Sequence, residues 1–176
     1  MTERKHPFIY NPTDLDSFYS SGNKVFEFYM EIPENYTLNY WLFNMKKKIQ
    51  ENSDCREIYD KVNEYALGIL QEYFLAAENK KVEIVSINNK HVTIKKGETV
   101  DGVVSKLSSY SYVFCVDIEE ISKSPSFTFV DTKTPVNPSG NYALMFPSHL
   151  NVKFCENIDD LDKIFIIGNI YLKESE

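Results

Sequence analysis

From Lys81 onward the chain reads KVEIVSI (81–87), HVTI (91–94), SYSYVFCVDI (109–118), SFTFVD (126–131), YALMFP (142–147), NVKFC (151–155) and KIFIIGNIYLK (163–173). These segments are rich in Val, Ile, Tyr, Phe and Thr, which fit the pleated, half-buried surface of a sheet. Turn formers separate them, at Asn88-Asn89, at Lys96-Gly97 and over Pro135 to Gly140. Together with one strand further upstream, about eight short strands spaced by turns describe an antiparallel sandwich or barrel.

The residues before Lys81 have a different texture. Lys24 to Ile32 alternates Phe26, Phe28, Met30 and Ile32 against Val25, Glu27, Tyr29 and Glu31, the period-two pattern of a strand. After Pro33 the period lengthens. Leu38, Trp41, Leu42, Met45 and Ile49 recur at three and four, Thr37 is placed to cap, and Lys46, Lys47 and Lys48 crowd the last turn, which predicts a helix over 37–50. A second helix is expected over 54–78, with Asp54 and Glu57 as a capping box and Ile58, Val62, Tyr65, Ala66, Ile69, Leu70, Tyr73 and Phe74 as its apolar stripe. Both stripes read as core packing against the sheet. Two helices that come as a block ahead of the strands make the class α+β. Residues 1–23, with Pro, Asn, Ser and Asp around a few aromatics, read as an extended N-terminal arm, and 24–176 as a single domain.

Composition narrows the function. The 176 residues are 43% hydrophobic and 14% aromatic, enough for a full core, and 19 basic against 26 acidic residues give a net charge of −7. A surface of that sign disfavours bulk nucleic acid and anionic lipid as partners and leaves protein contacts, including self-association into a homo-oligomer, as the expected ones. Cys55, Cys115 and Cys155 are odd in number and form no Cys-x-x-Cys pair, so no disulfide framework or zinc site is expected and a reducing compartment fits best. The first twelve residues contain no apolar leader core and no stretch approaches a membrane span, so the expected location is the cytoplasm where the protein is made.

Motifs for chemistry are scarce. The sequence contains no Gly-x-Ser-x-Gly elbow, no phosphate-binding loop and no Gly-x-Gly-x-x-Gly. Its three histidines, His6, His91 and His149, have no His, Asp or Glu two residues away, so no local pair starts a metal triad. His91-Val92-Thr93 is similar to half of a two-histidine phosphoesterase, but His149-Leu150-Asn151 does not supply the other half. Asp117-Ile118-Glu119-Glu120 and Asp159-Asp160-Leu161-Asp162 read as solvated acidic turns, since neither has the alternating ligands and glycine bend of a calcium loop.

Three pieces read together resemble the Fe(II)/2-oxoglutarate-dependent oxygenases of the type often encoded by bacteriophages. They are Lys96-Gly97-Glu98 followed by Ser111-Tyr112-Val113-Phe114-Cys115-Val116; Asn137-Pro138-Ser139-Gly140 followed by Ala143-Leu144-Met145-Phe146-Pro147-Ser148-His149-Leu150; and Lys163-Ile164-Phe165-Ile166-Ile167-Gly168-Asn169-Ile170. The resemblance spans about residues 82 to 173 and implies a double-stranded β-helix, or jelly roll. It also implies where an iron centre would sit. The ungapped register places Val103 and Ser105 at the first two ligand positions, Val152 at the distal histidine and Lys163 at the cosubstrate arginine, with Asn169 further along the same strand.

Valine cannot ligate iron, and lysine lacks the planar fork with which arginine grips a carboxylate. The expectation is therefore a pseudo-oxygenase with no catalytic residues, no metal and no cofactor. Val103, Ser105, Val152, Lys163 and Asn169 would then be vestigial pocket positions. It would act as a structural or interaction protein, phage-encoded and virion-associated as a tail or neck adaptor. Two alternatives stand beside it: an active dioxygenase with unorthodox ligands such as Asp101 and His149, and a small-ligand or nucleotide module that uses Ser105, Lys163 and Asn169.

Overall fold

The computed structural model describes residues 25–32, 34–51, 54–100, 104–105, 107–116, 127–130, 134–136, 141–150 and 152–173. The expected arm over 1–23 lies outside them. Helix α1 runs Leu38–Gln50. The Thr37 hydroxyl accepts from the Tyr40 N–H at 3.2 Å, and Lys47 and Lys48 occupy its last turn, where the helix dipole favours cations. Helix α2 runs Arg56–Glu78 and ends on Asn79 in the left-handed conformation, whose N–H returns to Leu75 O at 3.1 Å. Its start differs from the expected capping box. Cys55 holds the N-cap position but its side chain does not cap the helix, Asp54 accepts from the Arg56 N–H at 2.9 Å, and Glu57 lies 3.6 Å from Lys61 on the exposed face.

Eight strands follow the order of the chain: β1 Phe26–Tyr29, β2 Ile84–Ile94, β3 Tyr110–Cys115, β4 Phe127–Phe129, β5 Thr134–Val136, β6 Tyr142–Pro147, β7 Val152–Phe154 and β8 Lys163–Leu172. They form two sheets, of order β1-β6-β3-β8-β2 and β5-β4-β7, and every pairing within them is antiparallel. The class is α+β.

Strand parity divides the core in two. Phe26, Phe28, Tyr112, Phe114, Ala143, Met145, Ile164 and Ile166 point from the larger sheet toward α1 and α2, and meet Leu42, Met45, Ile49, Val62, Ala66 and Leu70. The alternate residues Val113, Cys115, Leu144, Phe146, Phe165 and Ile167 point the other way, against Phe127, Phe129 and Phe154 of the smaller sheet. The larger sheet is thus buried on both faces, and each fully buried aliphatic or aromatic side chain stabilises by roughly 1.5–3 kcal/mol.

Two turn readings are corrected. Asn88-Asn89 is no turn, because β2 runs through it in unbroken register with Asn169 and Gly168. The Asn89 side chain is engaged across space by Asn63 and Tyr112 instead of bonding locally. Within Pro135 to Gly140, Pro135 and Val136 belong to β5, where a proline is tolerated at a sheet edge, and 137–140 lie outside the described residues. The Lys96-Gly97 turn holds. Gly97 takes φ of +86°, its N–H donates to Asn157 O at 2.7 Å, and the fully buried Asn157 amide donates to Ile94 O and Leu161 O at 2.8 and 2.9 Å.

Candidate functional site

Two of the positions that the resemblance singles out, Lys163 and Asn169, lie on the face of the larger sheet turned toward the smaller one. Val103 and Asp101 lie outside the described residues. Asn169 and Lys163 both stand on this face of β8, in parity with Phe165 and Ile167, but six residues separate them and hence about 20 Å of strand. The structure does not bring them together.

Asn169 belongs to a buried hydroxyl–amide network at one end of the face. Its Oδ1 accepts from the Ser105 N–H at 3.0 Å and from the Ser111 hydroxyl at 2.8 Å, across the β3–β8 register pair. Ser111 and Ser108 each lie 2.7 Å from the Ser148 hydroxyl, and Ser108 donates to Ser105 O at 2.7 Å. The Ser105 hydroxyl accepts from Leu107 N–H and from Tyr171 OH, both at 3.3 Å. Each hydroxyl is occupied within the protein, so the network ties β3, β6 and β8 to the loop before β3. The structure brings Ser105 and Asn169 into one hydrogen bond, and Ser108, Ser111 and Ser148 are the partners that sequence reasoning did not assign. The signal was present in Ser111 and Ser148, two hydroxyls at interior parity in otherwise apolar strands.

The middle of the face is aromatic. Phe127, Phe129, Phe146, Phe154 and Phe165 are all buried to within 1% and meet edge to face or tilted, with Phe129–Phe146 at 5.1 Å and Phe154–Phe165 at 5.2 Å bridging the two sheets. Val152, half-buried and opposite Phe129 in register, packs into the same cluster.

Lys163 stands at the other end. It is 4% exposed, its ammonium lies 3.6 Å from Asp159 Oδ2, and Nζ has no hydrogen-bond acceptor. The acidic turn at 159–162 therefore faces lysines: Asp159 opposes Lys163, and Asp160 binds Lys96 at 2.7 Å, a hydrogen bond that raises the Lys96 pKa. The segment 117–120 lies outside the described residues.

The histidines are elsewhere. His91 faces α2, where its Nδ1 is 2.9 Å from the Tyr59 hydroxyl. His149 is exposed in the turn after β6, and His6 lies outside the described residues.

No family model and no curated protein matches the sequence. Solved structures do. The chain superposes on the crystal structure of a Pseudomonas putida prolyl-4-hydroxylase with a TM-score of 0.57, over 96% of this chain and 99% of that one, at 10% identity. The fold is oxygenase-like. A viral collagen prolyl hydroxylase from Paramecium Bursaria Chlorella virus-1, solved with 2OG, is a more distant match, with a TM-score of 0.44, 12% identity and coverage of 89% and 88%.

An iron centre of the kind that the sequence resemblance implies asks for imidazole and carboxylate ligands converging from facing strands. Among the described residues no three His, Cys, Asp or Glu side chains are grouped to hold a metal ion, and His91 and His149 both lie away from the sheet interior. The described residues do not fit such a centre. Lys163 is a buried cation whose ammonium has no hydrogen-bond acceptor among the described residues.

Proposed function

We propose that this chain is a double-stranded β-helix of the oxygenase-like kind that has given up metal chemistry and serves as a structural or interaction component. The observation that carries the proposal is the packing between the sheets, where five buried phenylalanines and Val152 fill the space that an open-faced centre would need. Filling that space with apolar side chains stabilises the sandwich, whereas imidazoles held there without a metal would need polar partners. The partners in this reading are other proteins or further copies of the chain. Its most specific form, a phage protein placed in the virion as a tail or neck adaptor, rests on the phage-type motif frame.

Titration calorimetry with Fe(II) and with Mn(II) under anaerobic conditions tests the loss of the metal centre. The expected result is no stoichiometric binding at micromolar concentration, and such binding would overturn the proposal. Mass spectrometry of purified particles tests the virion placement, which fails if the protein is absent from them.

One observation favours a second reading. The unbonded Lys163 ammonium would welcome a carboxylate, as the cosubstrate position of an active dioxygenase does. In that case unorthodox ligands such as Asp101 and His149 would have to converge, and His149 is exposed in its turn. Release of succinate from 2-oxoglutarate that depends on added Fe(II) would establish this reading, and its absence would retire it.

A further inference from the structure

Away from the sheets, the turn at 34–36, helix α1 and the first part of α2 enclose a half-open cavity of about 540 Å³, within the size range of small-molecule sites. One wall is aromatic. The Tyr36 ring lies 5.2 Å from Tyr40 and 6.0 Å from Trp41, with the Tyr36 and Trp41 planes only 35° apart. Buried Met45 and Ile58 supply apolar floor.

Two polar features of this cavity are unmatched. The Trp41 indole Nε1 is buried and has no acceptor among the described residues, although indole N–H groups usually find one when buried. Lys48, exposed at the rim, forms no ion pair among the described residues, whereas Lys61 is 3.6 Å from Glu57 and sits over the indole at 5.4 Å. The charged residues that line the cavity are Lys48 and Lys61 with Glu34 and Glu57, and the Lys61–Glu57 pair leaves Lys48 as the cation open to a ligand.

A ligand that answers all of these features has a flat ring for the aromatic wall, an acceptor on that ring for the indole N–H and one negative group for Lys48. We propose that the cavity binds a small planar heteroaromatic anion of the nucleoside monophosphate class. The base lies along Tyr36 and Trp41, and the phosphate reaches Lys48. Lys61, whose side chain is 48% exposed, swings off the indole face to make room for the base. This site is separate from the sheet interior and does not depend on whether the oxygenase-like centre is active.

Trp41 is the sole tryptophan in the sequence, so the indole emission comes from this one residue, and Lys48→Gln, at a residue that lines this cavity and not the smaller one that Trp41 also lines, assigns the change to it. The full chain is titrated with AMP, adenosine and ribose 5-phosphate. The expected result is a saturable change with AMP, an affinity about tenfold weaker for adenosine, the share of one charge-assisted contact, and no change with ribose 5-phosphate. Lys48→Gln, at an exposed position, should leave the melting temperature unchanged and reduce AMP to the affinity of adenosine. Unchanged emission with millimolar AMP would overturn the proposal. Equal affinity for AMP and adenosine, or AMP binding indifferent to Lys48→Gln, would overturn the assignment of an anion to this site.

Discussion

Gly168 on β8 stands directly opposite Tyr112 on β3, and a Cβ added at Gly168 would lie 2.1 Å from Cε2 of the Tyr112 ring. The ring has nowhere to go. It is fully buried, and its hydroxyl donates to Asn63 Oδ1 at 2.6 Å and accepts from Asn89 Nδ2 at 2.9 Å, which fastens β3 to α2 and β2. Glycine is needed here for space and not for backbone conformation. Gly168→Ala should cost about 3 kcal/mol in urea unfolding, the upper range for overpacking a rigid core. In a Tyr112→Leu background the same change should cost less than about 1 kcal/mol, since the two residues are coupled by direct contact.

Alkaline pH should destabilise the protein. Burial raises the Tyr112 pKa, with the Asn89 hydrogen bond opposing and nearby Tyr59 adding to the rise. Burial and then Cys55 raise Tyr59, and burial and then Asp54 raise Cys55. All three groups keep their protons longer when folded than when unfolded. Their contribution is complete below the unfolded values and is lost as pH climbs from about 9 upward, where the unfolded chain releases protons that the folded one retains. Unfolding midpoints measured from pH 7 to 11 should fall at the alkaline end. The fall should be shallower in Tyr112→Phe.

Lys163 and Asp159 should respond asymmetrically to substitution. Lys163→Met removes an ammonium that burial has stripped of water without a hydrogen bond in return, and should change stability by less than about 1 kcal/mol or increase it. Asp159→Asn leaves that ammonium buried without its counter-charge and should cost about 3 kcal/mol. Equal losses from the two variants in chemical denaturation would contradict this account.

Gly97→Ala isolates backbone strain. An added Cβ meets nothing within 4 Å, yet φ of +86° suits glycine alone, so a loss of about 1–2 kcal/mol should appear with no change in packing. Asn157→Ala, which frees Ile94 O and Leu161 O beneath the same turn, should cost more, about 2–4 kcal/mol for two buried bonds. Thermal unfolding of the two variants gives the order.

The α+β class and the strand locations were legible in the sequence because apolar period and turn residues are local signals. The amide of Asn89 shows where such signals stop. It is a turn former by propensity, but its partners Asn63 and Tyr112 lie 26 and 23 residues away, and their bonds hold it within β2. Parity alone puts Lys163 and Asn169 on one face of β8 with Phe165, but burial of β8 on both faces erases its alternation, so nothing local reveals which way that face looks. At the candidate site, Ser105 and Asn169 were singled out only through the resemblance, and their hydrogen bond needs the folded β8 beside the loop before β3. The serine network was not legible, because Ser108, Ser111 and Ser148 meet only after β3 and β6 are paired. Trp41 was read as core from its helical spacing, and only the fold places Tyr36 and Lys61 beside it.

The position of β8 bears on how the chain is made. It is the last strand in sequence, yet it separates β3 from β2 in the larger sheet. While the ribosome adds residues at about 5–20 per second, β2 and β3 wait with unsatisfied edges until residues 163–173 emerge. The nascent chain therefore carries open strand edges prone to self-association from the emergence of β2 until that of β8, and closure of the sheet depends on contacts between segments far apart in sequence.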